Sequence, residues 1–334
     1  MREFAFELRL CGWLEDREEG VVARQLGTSV EGRGNRILDV LLVRPGPEFD
    51  ARTRLPPGEI PLAAIESDAG VGEWTPVTDA VPGPPERARR VAERAADVGY
   101  LELERKGGEA VVRRVARYPG EWFGDLVGVE NKPDLGRPGD LAFQLRHDVA
   151  LGLLDEVWLA TESYVTGAHL NRIPDAVGVA RVDADALAAG GEDAEEAVEV
   201  VREATPLDTA GAGVEVLDER PTETAIETVD GAAKARARRR LAERAYGKGW
   251  RTYGFPDCAE VERAASGSAS ALPYCAWKDR LVDAASECGP DCPGHDASET
   301  QHPDLDAERA AATPWNPTPA VRTRTQSRLD RWTE

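Results

Sequence analysis

Gly124-Asp125-Leu126-Val127-Gly128-Val129-Glu130-Asn131-Lys132-Pro133 is the stretch on which the reading of this chain turns. Leu126–Glu130 has the apolar content of a buried strand. A strand sends successive side chains to opposite faces, so Glu130 and Lys132 point one way and Val129 and Asn131 the other. A carboxylate and an ammonium two residues apart at the end of an apolar strand suit phosphoryl chemistry. The carboxylate can hold Mg2+, and the ammonium can orient a water or neutralise charge on the attacked phosphate. One carboxylate is too few to fix an ion. Asp39, in Ile37-Leu38-Asp39-Val40-Leu41-Leu42-Val43, could supply the second from a neighbouring strand, since a lone Asp in an apolar run needs a reason to be there. Asp125, five residues before Glu130, is the rival second ligand.

Outward from this strand the pattern is α/β. Residues 3–19 have helical spacing, and Val21–Leu26 and Ile37–Val43 read as strands around a turn at Glu31–Asn35. The Pro- and Gly-rich stretch 44–61 breaks regular structure, and 62–80 follows no clear period. Pro84–Asp97 predicts a helix, and Tyr100–Glu104 with Ala110–Ala116 a hairpin around Lys106–Glu109. Beyond Glu130, Asp140–Leu154 reads as a helix with Leu141, Leu145 and Val149 stacked, and Val157–Ala160 and Val177–Val182 as strands.

The run Leu38-Asp39-Val40, then Val129-Glu130-Asn131-Lys132-Pro133-Asp134-Leu135, then a helix bearing Gln144 and the strand Asp155–Thr161, resembles the PD-(D/E)XK nuclease superfamily. The resemblance implies a restriction-endonuclease-like mixed sheet flanked by helices within residues 1–182. It implies Asp39 and Glu130 as ligands of Mg2+ or Mn2+, and Lys132 as the catalytic lysine. Gln144 matches a glutamine near the metal water or scissile phosphate, and Glu7 an additional carboxylate on the first helix. The chain departs from the family in two places. Roughly 90 residues separate Asp39 from Glu130, which makes 51–120 an inserted module, and Asp148 stands where some branches carry an aromatic. Helix followed by basic hairpin in that module resembles the second half of a winged helix, with Arg113, Arg114 and Arg117 on or beside the wing; a plain packing insert is the alternative.

Charge is unevenly spread. The 334 residues carry a net charge of -20, and of 41 basic residues only five are lysine, a composition resembling that of salt-adapted, halophilic proteomes. Such a bias does not exclude a nucleic-acid partner. Residues 183–230 hold 15 acidic residues against Arg202 and Arg220, and read as an acidic edge segment or linker. Residues 233–251 hold eight basic residues against Glu243, and their helix, with Arg238, Arg239 and Arg240, is either a phosphate-contacting face or a solvated surface. Cys258, Cys275, Cys288 and Cys292, near His295, lie in a region ending at 296. Four thiols in a cytosolic chain suggest zinc or an iron–sulfur cluster, with unliganded or paired thiols as the alternative. Residues 297–334 read as a tail of low order. His147 is expected on the polar side of its helix, His169 in a connecting loop, and Trp13, Trp74, Trp122 and Trp158 in packing.

The sequence therefore predicts a cytoplasmic, metal-dependent nuclease whose partner is nucleic acid, DNA above RNA, with no membrane span. The alternative is a non-catalytic DNA-binding or regulatory protein that keeps the nuclease fold. A third reading makes the Cys-rich region a protein-docking module.

Overall fold

A strand as apolar as Leu126–Val129 must be covered on both faces, and its surroundings are built to do that. The computed structural model describes residues 3–30, 36–56, 58–189, 194, 196–220, 222–266, 269–298 and 302–312. The expected turn at 31–35 and the tail beyond 312 lie outside the described residues. The chain runs α1 (Glu3–Arg17), β1 (Val21–Gly27), β2 (Ile37–Pro45), α2 (Phe49–Thr53), α3 (Leu62–Ile65), β3 (Thr75–Pro76), α4 (Val77–Ala80), α5 (Pro85–Asp97), β4 (Leu101–Lys106), β5 (Glu109–Arg114) and β6 (Phe123–Asn131). It continues with α6 (Leu141–Leu151), β7 (Glu156–Thr161), α7 (Gly167–Leu170), β8 (Gly178–Val182), α8 (Ala184–Ala189), β9 (Val198–Arg202), β10 (Gly213–Glu219), β11 (Thr224–Val229) and α9 (Gly231–Lys248). Last come β12 (Val261–Ser266), β13 (Ala269–Cys275), β14 (Arg280–Leu281), α10 (Ala284–Glu287) and α11 (Leu305–Ala312). Residues 44–80 thus contain short helices and a strand where the sequence showed no period, and α11 forms a helix inside the tail expected to lack order.

The described residues divide into two compact units, one from 1–46 and 123–314, the other from 47–122. The first is a mixed α/β unit around a six-stranded sheet of order β1-β2-β6-β7-β8-β9. β1, β2 and β6 pair antiparallel, β6, β7 and β8 parallel, and β9 antiparallel at the far edge. The parallel β6–β7 pair requires a crossover, and α6 supplies it. One face is covered by α1, whose Phe6, Leu10, Cys11 and Leu14 pack with Val22, Val40, Leu42, Val127 and Val129. On the other, Gly128 leaves room for a neighbour: a Cβ there would lie 2.5 Å from Leu154 Cδ1.

The basic helix α9 lies along the edge strand β1, and this overturns its reading as an outward phosphate face. Lys248, Arg244 and Arg240 donate to the carbonyls of Gln25 (2.5 Å), Gly27 (3.1 Å) and Ser29 (2.8 Å). Four helical residues rise about 6 Å and two strand residues about 6.6 Å, so cations at every fourth helix position meet carbonyls at every second strand position. The ladder occupies an edge that would otherwise offer itself to another chain. Arg238 is likewise engaged, donating to Leu153 O at 2.6 Å and pairing with Asp155 at 2.8 Å.

The second unit, 47–122, has a three-stranded sheet of order β3-β5-β4 packed by α5. Ala88, Ala92 and Ala95, at helical spacing, form the buried side of α5, and the Tyr100 and Tyr118 rings meet edge-on at 6.3 Å. Arg52 is fully buried, its guanidinium over the Trp122 ring.

Candidate active site

The antiparallel register of β2 and β6 sets Val40 opposite Val129 and Leu41 opposite Gly128. Continued by one residue, it brings Asp39 to face Glu130 where the pairing ends. The Asn131 N–H donates to Asp39 Oδ2 at 2.9 Å. On the other side of β2, Gln25 falls opposite Asp39 between the Arg24–Val40 and Leu26–Leu38 pairs. Its φ of +53° lies in the left-handed region, which a non-glycine residue seldom adopts within a strand. This turn lets its amide donate to both Glu7 Oε2 (2.9 Å) and Asp39 Oδ1 (3.3 Å). Glu7, on α1, also accepts from Arg24 Nε at 2.6 Å.

Glu130 is answered by Arg36, whose Nη2 lies 2.6 Å from Glu130 Oε2 and 2.6 Å from Asp148 Oδ2 on α6. Arg36 Nε completes a forked contact to Asp148 at 3.1 and 3.2 Å. His147, expected on the polar side of α6, is buried, with Nδ1 3.3 Å from Asp148 Oδ1. Gln144 stands one turn before Asp148, on the same side of α6. The Lys132 ammonium is 3.5 Å from Glu3 Oε1 at the rim, its side chain 24% exposed.

The cluster carries excess negative charge. Glu7, Asp39, Glu130 and Asp148 meet Arg24 and Arg36 in the hydrogen-bonded network, and Lys248 lies near enough to Glu7 to feel its charge, so the four carboxylates outnumber the cations beside them when all are ionised. Burial, and then the Asp39 charge, push Glu130 up to about 8 against the pull of Arg36. Burial raises Asp39 as well, and raises Glu7 to about 7 despite Arg24. Among the described residues no three His, Cys, Asp or Glu side chains converge as a group that could hold a metal ion. The carboxylate oxygens turn instead to Arg36, Arg24, Gln25 and the Asn131 N–H.

Other expected residues lie elsewhere. Asp125 is exposed, 3.9 Å from Arg44, away from Arg36, the partner that meets Glu130. On the hairpin of the second unit, Arg113 pairs with Glu102 and lies over the Trp74 ring, and Arg114 donates to the carbonyls of Ile65 and Ser67. Both therefore brace their own unit, as Arg238 and Arg240 brace the first. Arg239 is half-buried on α9.

Cys258, Cys275, Cys288 and Cys292 form no disulfide. Burial raises the Cys288 thiol, and Cys275, Cys258 and Cys292 are near enough to add to that rise. Metal analysis of protein purified without oxygen tests what they hold. A metal held by these thiols would register as about one zinc per chain or as the visible absorbance of an iron–sulfur cluster; finding neither would make the four thiols packing residues.

Fold and cluster together describe a mixed α/β protein with a largely buried, acid-rich site at the end of its central strands. The chain belongs to a family of unknown function, DUF5787, whose model matches residues 21–297. No curated protein and no solved structure matches it. No helix among the described residues is long and apolar enough to cross a membrane.

Proposed function

We propose that the chain is a Mg2+- or Mn2+-dependent phosphodiesterase acting on nucleic acid, with DNA as substrate, on a restriction-endonuclease-like fold. One observation carries the reading: Asp39, half-buried, and Glu130, buried, face each other across adjacent strands, with Lys132 two residues beyond Glu130. The fold supports it, because α1, β1, β2, β6, α6 and β7 follow the order of helix, strands and helix that the resemblance implies. β1, β2, β6 and β7 also lie side by side in that order.

The donor set fits a divalent cation in kind and in charge, since hard carboxylate oxygens suit Mg2+ and four carboxylates outnumber the cations Arg24, Arg36 and Lys248 beside them. Asp39 and Glu130 would hold the ion, which when bound polarises the scissile phosphate and eases deprotonation of the attacking water. Glu7, tied to Asp39 through the Gln25 amide, positions that carboxylate. Lys132 leaves a weak surface pairing with Glu3 and faces the charge that develops on the phosphate.

Thermal melting with and without Mg2+ tests the ion site. In metal-free protein the folded-state values of Glu130, about 8, and Glu7, about 7, exceed their ordinary 4.5. The folded chain then holds protons that the unfolded chain has lost, so stability falls as pH rises from about 4.5 to about 8. Mg2+ favours the ionised carboxylates, so its addition should raise Tm by several degrees at the alkaline end and little at pH about 6. The Asp39→Asn variant should lose that gain. An equal gain at both ends, retained in Asp39→Asn, would contradict the proposal.

A further inference from the structure

We infer that residues 47–122 form a duplex-DNA-reading module of winged-helix type, with α5 as the helix offered to the major groove and the β4–β5 hairpin as the wing. The inference is independent of the catalytic reading, because a protein that binds DNA without cleaving it would carry the same module.

Topology is the first support. After the one-turn helix α3, the unit runs β3, α4, α5, β4, β5, and its strands pair in the order β3-β5-β4. α4 and α5 pack together, joined by Val81-Pro82-Gly83-Pro84. A short turn containing glycine is what a helix-turn-helix uses to set its second helix into the major groove. Gly83 has φ +114°, where a side chain would be strained.

The second support is charge. With Ala88, Ala92 and Ala95 turned inward, α5 presents Arg87, Arg90 and Arg94 as one exposed stripe, with Arg89 to the side. Exposed Glu86, Glu93 and Asp97 border it. Among the described residues none of these four arginines makes an ion pair or hydrogen bond through its side chain, whereas Arg24, Arg36, Arg113, Arg114, Arg238 and Arg251 are all engaged. Residues 84–117 hold nine basic side chains against six acidic ones, within a chain of net charge -20.

The wing has the matching form. Gly107 and Gly108 make its tip with φ +60° and +89°, and Arg105 and Lys106 are exposed beside it, as is Arg117 beyond β5. An α-helix enters the wide major groove of B-form DNA. The deep, narrow major groove of A-form RNA does not admit it, so the partner is duplex DNA.

The test is fluorescence anisotropy of the full chain in EDTA, with a short labelled DNA duplex, the same sequence as duplex RNA, and single-stranded DNA, over a range of KCl. The Arg87→Ala/Arg90→Ala/Arg94→Ala variant should bind duplex DNA about tenfold or more weakly, and its salt slope should flatten by about 2–3, close to one unit for each phosphate no longer neutralised. Its melting temperature should not change, since all three side chains are exposed and unpaired. Duplex RNA should bind more weakly than duplex DNA. The inference is overturned if wild type binds no duplex DNA at the lowest salt at which it stays folded, if the variant binds as wild type does, or if duplex RNA binds equally well. Binding through α5 without any Mg2+-dependent cleavage would overturn the catalytic reading alone. Cleavage with binding indifferent to α5 would overturn this inference alone.

Discussion

Glu130→Gln is expected to lower Mg2+-dependent cleavage by about a thousandfold or more while leaving the chain folded. The substitution keeps the shape of the side chain and its hydrogen bond from Arg36, but removes the charge that would attract the ion. A fold resting on that carboxylate would be weakened by the change. Here the opposite is expected, because Glu130 is buried beside Asp39 and both like charge and burial act against its ionised form. At pH about 8, metal-free Glu130→Gln should therefore melt no lower than wild type, and by about 3–8 °C higher if the repulsion is fully relieved. Asp39→Asn should lose activity alike, since loss of either ligand loses the ion. Lys132→Ala should lose activity but keep the Mg2+-dependent gain in Tm. Asp125→Asn should change nothing. Gel cleavage assays paired with thermal melts check all four.

Arg36→Met should destabilise the fold by about 3–5 kcal/mol, the cost of leaving buried charges without their counter-ion. The Arg36 side chain is 4% exposed and bridges Glu130 to Asp148, and both carboxylates raise its own affinity for the proton. Arg36→Lys would restore the charge without the fork that reaches both partners, and should recover only part of the loss. Arg36→Met combined with Asp148→Asn should cost less than the sum of the two single changes, because the pair acts as one unit. Urea unfolding gives these values. Additive losses would mean that the Arg36–Asp148 pair carries no coupling energy.

Asp39 and Glu130 were legible in the sequence for one physical reason: a charged residue in an apolar strand is costly unless something requires it. Strand alternation then gave the relation of Glu130 to Lys132. The network around them was not legible. Arg36 follows the glycine-bearing stretch 31–35, where an arginine is unremarkable in sequence, and only strand register and the packing of α6 bring it between Glu130 and Asp148. Asp148 was visible as a departure from an aromatic position, and its place one turn beyond Gln144 was the only signal it carried. Gln25 carried none, because its role depends on a left-handed backbone that no residue type there announces. The basic helix misled for a related reason. Composition shows how many cations a helix carries, but whether they meet phosphates or carbonyls depends on what lies alongside, and α9 lies along the edge of β1. The four arginines of α5 look alike in sequence, yet their burial pattern leaves them outward.

Cleavage by the wild-type chain is the test of metal-dependent phosphodiesterase activity. Single- and double-stranded DNA and RNA would be incubated with Mg2+ or Mn2+ over a wide range of KCl, with EDTA and Glu130→Gln as controls. The expected result is cleavage of DNA that needs the metal, stops in EDTA and disappears in Glu130→Gln. Cleavage that survives Glu130→Gln, or no cleavage of any substrate at any salt by a chain that binds DNA, would contradict it.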